Sequence, residues 1–484
     1  MFSRSGEKGG ADLLWNVTSF WKDHYWTALA YPPMARFSPW YHAHMLFLPP
    51  CVPPSSIIFA RLCAGPHTPL QSVPINLNNK RPLALTLLRE QKQPPERRVA
   101  FTPDQCALLI AKYPGLRIRI QPSDDRFFAD EAYLTAGVEV EEEVLPDGLL
   151  MGIKERKPET LIEDRSYIFF SHTIKKQEYN RPLLQAVLDK RLELFDYEVI
   201  TDDELARLVA FGHFAGVVGV LHALRMVGLR NKSFTMKAPR AYASLTAALA
   251  DVAQIKLAGL RFAITGRGRV SRGAAQVLEL AGIKHVSTAD YLGRDFGAKP
   301  VYTMLSSQDL HTLKNKKGWI STEHFYHSPE LYESRFAPYV AVTNVLITGA
   351  YWQEGYPKLF TLPSLANPAN RLQIVADISC DINGAAPCTV RPSTIAEPYY
   401  DLSPYTGLEE EAFTDVKNIS VMAVDNLPCE MPGEASKHFG EHLIEHFLPD
   451  YFTSGPVSNR AIMAKNGQLT QGFQYLEEWV GAVQ

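Results

Sequence analysis

The segment "LRFAITGRGRVSRGAAQVLELAGI" (260–283) gives the clearest indication of the fold. An apolar stretch typical of a buried strand runs into Gly266, a second glycine follows at Gly268, and a helix begins directly afterwards. The first glycine permits a tight turn, and the second lets a pyrophosphate approach the backbone at the helix N-terminus. The third position of the pattern holds Ser271 instead of glycine, with Gly273 two residues further on. This order of strand, turn and helix predicts a dinucleotide-binding domain.

Of the residues that would select the cofactor, some favour NAD and others favour NADP. Asp290 follows the next predicted strand, "IKHVS", at about the distance where an acid binds the ribose of NAD. Arg267 and Arg269 lie inside the glycine turn, where they could meet the extra phosphate of NADP. Both cofactors stay open, and the predicted cofactor-binding residues of this region are Gly266, Arg267, Gly268, Arg269 and Asp290.

Strands and helices alternate along the rest of the chain. The predicted strands lie at 83–89, 116–121, 149–154, 167–172, 192–200, 340–348, 372–379 and 419–427. The predicted helices include 103–115, 207–228, 240–256, 434–448 and one near 473–481. Such alternation is typical of parallel, doubly wound sheets, so we predict an α/β fold with two domains of similar type.

The composition is that of an ordinary globular protein. With 484 residues, two or three domains are expected, and a hydrophobic fraction of 46% can form a sizeable core. A net charge of −3 does not suggest a nucleic-acid partner. The six cysteines form no C-x-x-C pair, which argues against a zinc site or a disulfide framework and suits a reducing cytoplasm.

Two features near the N-terminus concern membrane association and disorder of the chain. The best apolar candidate for a membrane span begins at Met45 and is interrupted by four prolines, so we predict no membrane association. Residues 1–79 carry proline clusters such as "LPPCVPP" and show no helical or strand period. We interpret them as a disordered extension, or as the result of a start site assigned too far upstream.

Charged side chains follow several predicted strands in the first half of the chain. These residues are Glu96, Arg98, Lys154, Glu155, His172, Lys175 and Glu198. Because the carboxyl ends of parallel strands meet at one edge of a sheet, we expect these side chains to converge. A histidine near lysines suits proton transfer near neutral pH, and arginine suits bidentate binding of a carboxylate. The pattern predicts a dehydrogenase for a carboxylate substrate, with a proton moving through Lys154 or His172.

Several segments resemble one enzyme family. The stretches "ERRVAFTP", "GIKE", "FFSHTIKKQ", "DYEVI" and "VAFGHFAGVVG" are similar to the lysine-forming saccharopine dehydrogenases, including the lysine–ketoglutarate reductase module of bifunctional lysine-degrading enzymes. Later stretches resemble the same family, namely "ADISCD", "VRPSTIAEPYY" and "AVDNLPCEMPGEAS". The broader group includes alanine dehydrogenase and the soluble NAD-binding subunit of transhydrogenase. The resemblance runs from about Pro82 to the C-terminus.

The resemblance implies an architecture and a reaction. It implies two Rossmann-like domains with a substrate cleft between them: a catalytic domain (80–206 plus about 429–484) and a dinucleotide-binding domain (207–428). In the family reaction, L-lysine and 2-oxoglutarate condense to an imine that is reduced reversibly to saccharopine with NAD or NADP. The implied partners are therefore small molecules, in a monomer or homo-oligomer, and no metal is required.

The resemblance also assigns roles to individual residues. His172 and Lys154 match the acid–base pair, and Arg98 matches a carboxylate-binding arginine. Charged residues of the substrate site are matched by Glu155, Lys175, Glu198 and Arg207, and an acid near the cofactor by Asp377. The fungal enzymes carry a lysine three residues before Glu96. Gln93 stands there in this chain, with Lys92 one place away.

Two other functions compete with this interpretation. An alanine dehydrogenase-like enzyme would use a similar set of Arg, Lys and His residues, but it needs only a small pocket for pyruvate and ammonia. The additional charges at Lys175, Glu198 and Arg207 favour a larger substrate. A non-catalytic NAD(H)-binding module is disfavoured because Lys154 and His172 are both present.

Overall fold

The computed structural model describes residues 81–315 and 318–481, so the predicted N-terminal extension (1–79) lies outside the described residues. The described part of the chain divides into two compact units. Unit 1 comprises 81–211 and 432–481, and unit 2 comprises 212–431. The boundaries fall after Phe211 and after Met431, a few residues beyond the predicted positions.

The strands of the described residues are numbered in chain order. They are β1 (Ala84–Leu87), β2 (Arg117–Ile120), β3 (Glu139–Val140), β4 (Leu149–Met151), β5 (Ser166–Phe169), β6 (Glu193–Asp196), β7 (Arg261–Thr265), β8 (Lys284–His285), β9 (Val301–Leu305), β10 (His311–Leu313), β11 (Tyr332–Ser334), β12 (Val345–Thr348), β13 (Ile374–Asp377), β14 (Tyr399–Leu402), β15 (Glu409–Glu410), β16 (Ile419–Met422), β17 (Ile462–Lys465) and β18 (Gln468–Leu469).

The α-helices of the same residues are numbered in the same way. They are α1 (Pro103–Lys112), α2 (Asp130–Thr135), α3 (Arg181–Asp189), α4 (Gly212–Asn231), α5 (Leu245–Val252), α6 (Arg269–Leu280), α7 (Thr288–Gly293), α8 (Ser307–Leu310), α9 (Thr322–His327), α10 (Ala337–Val340), α11 (Leu362–Leu365), α12 (Pro432–His442), α13 (Leu448–Thr453), α14 (Pro456–Arg460) and α15 (Glu477–Gly481). A π-helical segment, Leu443–Phe447, joins α12 to α13.

Unit 1 contains one sheet in the order β18-β17-β6-β5-β4-β1-β2-β3. The six strands β3, β2, β1, β4, β5 and β6, in this order across the sheet, are parallel to one another. The C-terminal segment adds β17 and β18, which are antiparallel, beside β6. Every residue of β1, β4 and β6 is buried, which explains the nearly continuous apolar sequences of β1 and β4. The arrangement brings the carboxyl ends of β1, β4, β5 and β6 to one edge of the sheet.

An ion cluster around the buried Glu193 links the C-terminal segment to this sheet. The Glu193 carboxylate on β6 receives a bidentate contact from Arg81, at 2.6 and 3.1 Å, and lies 2.8 Å from the ammonium of Lys465 on β17. Burial opposes ionisation of Glu193, but the hydrogen bonds and charges of Arg81 and Lys465 prevail and lower its pKa to about 2. The cluster therefore stabilises the fold only while Glu193 is ionised.

Replacing this carboxylate gives a stability change that depends on pH. A carboxyl whose pKa is lower in the folded than in the unfolded state stabilises above its unfolded pKa and loses that effect as pH falls. We expect Glu193→Gln to reduce the free energy of unfolding at pH 7 by on the order of 3 kcal/mol, and by less than half of that at pH 3. Urea unfolding at the two pH values measures both differences.

A surface pair provides the control for this prediction. Glu409 pairs with Arg391 where both side chains are about 40% exposed, at 40% and 39%, so Glu409→Gln should cost less than about 1 kcal/mol. A loss for Glu193→Gln that is as large at pH 3 as at pH 7 would show that ionisation of Glu193 is not the source of the stability.

Unit 2 contains a second sheet in the order β15-β14-β16-β13-β12-β7-β9-β8. Its central strands are parallel, and β14 and β15 are antiparallel at one edge. A separate antiparallel ribbon is formed by β10 and β11. The two parallel-dominated sheets with their helices confirm the predicted α/β class. The sequence-based prediction missed β9, which is the neighbour of β7, and the antiparallel strands β14 and β17.

Helix α4 packs closely against α6 through glycines. A Cβ added at Gly216 would lie 2.0 Å from the Val270 carbonyl oxygen, and one added at Gly273 would lie 2.2 Å from the His213 carbonyl oxygen. Both positions therefore exclude any side chain, because such distances are far inside van der Waals contact. The close packing predicted from the glycines of this helix is confirmed.

The same helix has the length and composition of a membrane span. Among the described residues, α4 is the one helix long and apolar enough to cross a membrane, with a mean hydropathy of 1.3 in its best window. However, 72% of that window is buried inside the structure, and core helices meet the same criterion. The sequence-based search named the segment from Met45, which lies outside the described residues, as the best candidate for a span.

Candidate active site

The carboxyl edge of the unit 1 sheet gathers several of the predicted site residues. His172 lies three residues beyond the end of β5, and Glu198 lies two residues beyond the end of β6, in a 3-10 turn. Because β5 and β6 are adjacent and parallel, the two side chains meet, with His172 Nδ1 3.7 Å from Glu198 Oε2. On the other side of the ring, Nε2 is 3.8 Å from Oε2 of Glu155, which follows β4. The imidazole therefore lies between two carboxylates.

The backbone at His172 adopts a conformation that is uncommon outside glycine. Its φ is +55°, in the left-handed region, and Lys176 at the other end of the turn has φ +53°. Buried hydrogen bonds hold the preceding residue: Ser171 donates to Asp196 from its backbone N, at 2.9 Å, and from its hydroxyl, at 2.5 Å. This turn changes the chain direction at the strand end, where the His172 side chain meets the two carboxylates.

Glu198 is the centre of the charge network. Its Oε1 lies 3.5 Å from Nη1 of Arg207 and 3.7 Å from Nζ of Lys175. Burial opposes ionisation, but the basic groups of His172, Arg207 and Lys175 outweigh it and lower the pKa of Glu198 to about 2. Glu198 is therefore negatively charged throughout the physiological pH range.

The pKa values of two further carboxyls, those of Asp196 and Glu155, are shifted in opposite directions. Burial, followed by the nearby charge of Glu198, raises the pKa of Asp196 to about 6. Burial also disfavours the charged form of Glu155, but Lys92 and then His172 outweigh it and lower the pKa of Glu155. The ammonium of Lys92 contacts Oε1 of Glu155 directly, so Lys92 occupies a place in the site although its sequence position is shifted by one.

Lys154 lies in the turn after β4, directly before Glu155. Its backbone N donates to Oε2 of Glu90 at 3.1 Å, and the preceding Ile153 N donates to Oε1 of the same carboxylate at 2.6 Å. Among the described residues, the Lys154 ammonium has neither a hydrogen bond nor an ion pair. Lys154 is half-buried, and its amine is available to a ligand.

Arg98 has a partner that the sequence did not predict. Its Nε and Nη2 bind both oxygens of Glu96, at 2.8 and 2.6 Å, and its guanidinium lies 4.1 Å from the centre of the Phe211 ring. The side chains of Arg98 and Glu96 are almost completely buried. The edge of the guanidinium that would bind a carboxylate bidentately therefore already holds Glu96, and the predicted role of Arg98 toward a substrate requires other N–H groups or an exchange of partner.

Aromatic rings form the apolar side of this site. Phe170 stacks near His172, with ring centres 6.1 Å apart and planes 12° apart, and the Arg207 guanidinium lies 5.4 Å from the Phe170 ring. Phe211 and Phe439 stack at 4.3 Å behind them. The sequence-based prediction missed these rings and the carboxyls Glu90 and Asp196. Glu90 could have been found, because it follows a strand just as the predicted residues do.

The glycine turn of unit 2 has the geometry of a dinucleotide site. Gly266 has φ +82°, and Gly268 is the N-cap of the twelve-residue helix α6. A Cβ added at Gly268 would meet no heavy atom within 4 Å, so there is open space in front of the helix N-terminus. The hydroxyl of buried Ser271 donates to the Thr265 carbonyl at 2.9 Å, which fixes the helix against the strand. These residues fit a pyrophosphate group.

The strand order separates one predicted cofactor residue, Asp290, from the strand that leads into the glycine turn. Asp290 follows the edge strand β8, which pairs with β9 and not with β7, and its carboxylate accepts a bond from Ser287 at the start of α7. Strand β9 therefore lies between β8 and β7, and the ribose contact predicted for Asp290 stays a prediction. Asp309, which follows β9, instead pairs with Arg267 of that turn at 3.5 Å. Arg269 is the first residue of α6.

Asp377 ends β13 and is fully buried. Its oxygens accept bonds from the hydroxyls of Thr348, Ser379 and Thr389 and from the backbone N of Cys380. The carboxylate therefore holds the loops at the end of β13 together, and these internal bonds do not support the predicted contact with a cofactor.

Part of the chain matches a family model. Residues 86–218 match the family described as "Alanine dehydrogenase/PNT, N-terminal domain". Among solved structures, an L-alanine dehydrogenase aligns with a TM-score of 0.55 at 15% identity, covering 82% of this chain and 100% of that chain. At this identity the likeness concerns the fold alone, and it agrees with the two Rossmann-like sheets.

Curated relatives share more of the sequence. The chain is 31% identical over 430 residues to the alpha-aminoadipic semialdehyde synthase of Arabidopsis thaliana, covering 79% of this chain and 40% of that protein. It is 25% identical over 400 residues to the saccharopine dehydrogenase (NAD(+), L-lysine-forming) of Neurospora crassa, covering 79% of this chain and 94% of that protein. The chain thus spans less than half of the first relative and nearly all of the second. The resemblance predicted from the sequence is confirmed.

Proposed function

We propose that this chain, a homologue of the L-lysine-forming saccharopine dehydrogenases, is an NAD(P)-dependent oxidoreductase that interconverts saccharopine with L-lysine and 2-oxoglutarate. The observation that carries the proposal is the position of His172 between Glu155 and Glu198, with basic side chains directly beside them. This cluster lies within the segment that matches the family model.

The charges of the cluster suit a substrate of mixed sign. Saccharopine carries three carboxylates and two amino groups, so its site needs both cations and anions. Lys175 and Arg207 supply cations near the surface of unit 1, and Glu155 and Glu198 supply anions. Pyruvate with ammonia would need fewer charges, which is the reason to prefer the larger substrate over an alanine dehydrogenase-like activity.

Proton transfer in this reaction falls to His172 and Lys154. Cleavage of saccharopine removes a proton from the secondary amine, and hydrolysis of the imine moves further protons between water, nitrogen and carbon-bound oxygen. The imidazole of His172 lies between the carboxylates of Glu155 and Glu198, at 3.8 and 3.7 Å from its two ring nitrogens. The amine of Lys154, which has no protein partner among the described residues, is the second proton carrier of the proposal.

In this proposal, the nucleotide binds to unit 2. Gly266, Gly268 and the N-terminus of α6 would hold its pyrophosphate, and the bound nicotinamide supplies the two-electron redox chemistry. Arg267 and Arg269 stay predictions for an additional phosphate. A cleft between the units, a cytoplasmic location, the absence of metal, membrane and nucleic-acid partners, and a monomeric or homo-oligomeric state also stay predictions.

Substrate-dependent oxidation of the nucleotide tests the proposal. With NADH or NADPH, we expect L-lysine plus 2-oxoglutarate to give turnover and a product with the mass of saccharopine, at a rate at least about 100-fold above that with pyruvate plus ammonia. Turnover only with pyruvate and ammonia would favour the alanine dehydrogenase activity. Tight nucleotide binding with no turnover on either pair would contradict an enzymatic role.

A further inference from the structure

The turn that carries Lys154 is held by a carboxylate that the proposed reaction does not use. Glu90 follows β1, and its two oxygens accept bonds from two successive backbone N–H groups, those of Ile153 at 2.6 Å and Lys154 at 3.1 Å. Both donors lie beyond the end of β4, and in the described part of the chain their acceptor is the Glu90 carboxylate. Glu90 therefore takes the place of a neighbouring strand for this part of the backbone.

The rest of the turn is tied to β5, which leads to His172. Gly152 N donates to the Ile168 carbonyl at 3.0 Å, and Phe170 N donates to the Ile153 carbonyl at 3.0 Å. A Cβ added at Gly152 would lie 3.5 Å from Oε1 of Glu90, so the carboxylate packs directly against the turn. Glu90 thus fixes the Lys154 backbone to the end of β1, while Gly152 and Ile153 fix the same turn to the chain segment before His172.

We propose that Glu90 is a positioning residue that holds the Lys154 turn in the geometry that proton transfer by Lys154 requires. This inference rests on the proposed function, because the role of Lys154 belongs to it. Glu90 supports the turn through its hydrogen bonds to the backbone of Ile153 and Lys154. An error of about 1 Å in the place of a catalytic group can cost two orders of magnitude in rate, so such a support matters for catalysis.

The surroundings of Glu90 set the pH at which its carboxyl ionises, and its hydrogen bonds to the turn depend on that ionisation. Burial raises the pKa of Glu90 to about 7, and the acceptor bonds from Ile153 and Lys154 and the charge of Arg156 oppose that rise. The other charged or titratable groups that face it are Glu96 and Tyr197, and Arg89, Arg98 and Arg126 line the same cavity of about 20 Å³. Protonation replaces one acceptor oxygen by an O–H donor that faces an N–H, so the support weakens as pH falls through about 7.

The amide in Glu90→Gln imitates the protonated carboxyl at every pH. We expect kcat to fall about 10- to 100-fold at pH 8, with the KM values and the dissociation constant of the nucleotide within about twofold of wild type. The decrease of kcat between pH 8 and pH 6 that Glu90 causes in the wild type should be absent in the variant. Glu142→Gln is the matched control, because Glu142 pairs with Arg89 on the surface beside the same strand end, and it should leave kcat unchanged.

A labelling experiment separates this inference from the proposed function. An amine-reactive reagent is applied to wild type and Glu90→Gln, and mass spectrometry gives the modification rate of Lys154, with the exposed Lys157 as internal reference. We expect the rate at Lys154 to change at least about threefold while that at Lys157 is constant. An unchanged rate at Lys154, or an unchanged kcat with altered labelling, would overturn the inference. Absence of activity in the wild type would instead reject the proposed function, and the labelling result would still test the positioning.

Discussion

His172→Gln lowers kcat for lysine plus 2-oxoglutarate by about 10²- to 10⁴-fold, with nucleotide binding intact, if the imidazole transfers protons in this reaction. Glutamine keeps a hydrogen-bonding group near Glu155 and Glu198 but cannot accept and release a proton near neutral pH. The two carboxylates, at 3.8 and 3.7 Å from the ring nitrogens, then have no proton carrier between them. Stopped-flow or steady-state oxidation of NADH and NADPH measures the loss, and fluorescence titration of the nucleotide measures binding.

The backbone conformation at His172 requires a second variant. Because its φ is +55°, a residue that disfavours this region could disturb the turn as well as the chemistry. Asparagine adopts positive φ more readily, so His172→Asn should show the same loss of rate without a loss of folding. His446→Gln is the control, since His446 lies in unit 1 on the segment Leu443–Phe447, away from this strand edge in sequence, and should keep full activity. A rate within fivefold of wild type in both His172 variants would remove His172 from the mechanism.

Lys154→Met is expected to lower kcat by a similar factor of about 10² to 10⁴. Methionine preserves much of the length and apolar stem of lysine but has no titratable amine. Since the Lys154 backbone, and not its side chain, makes the bonds to Glu90, the turn should keep its conformation in the variant. The ratio of kcat in wild type to kcat in the variant, taken at the pH optimum of each, measures the contribution of the amine.

A lysine in the same loop gives the comparison for this variant. Lys157 is exposed three residues further on, and Lys157→Met should change kcat less than twofold. Small primary amines added to the assay should partly restore the activity of Lys154→Met, because they can replace a missing proton carrier. Full activity of Lys154→Met without added amine would contradict the role given to Lys154.

The sequence predicted those parts of the site that follow from the geometry of a parallel sheet. Residues beyond the ends of adjacent parallel strands meet at one edge, and the strands β4, β5 and β6 were recognisable. The convergence of Glu155, His172 and Glu198 follows from their positions after those strands. No knowledge of distant contacts was needed for this step.

The parts that the sequence did not predict depend on side-chain conformation and on the packing of distant segments. Neither the bond between Glu96 and Arg98 nor the stacking of Phe211 on Phe439 leaves a periodic pattern. The prediction for Asp290 used the next strand along the chain, β8, whereas β9 is the neighbour of β7 in the sheet. Strand order is set by packing of whole elements, and a local motif does not contain it.

A crystal structure with saccharopine and the oxidised nucleotide bound is the most direct test of the central claim. The account predicts that a ring nitrogen of His172 and the Nζ of Lys154 both lie within about 3.5 Å, directly or through one water, of the secondary amine of saccharopine or of the carbon-bound groups beside it. A complex in which either side chain points away from the reacting atoms, while the nicotinamide and substrate are in contact, would contradict it.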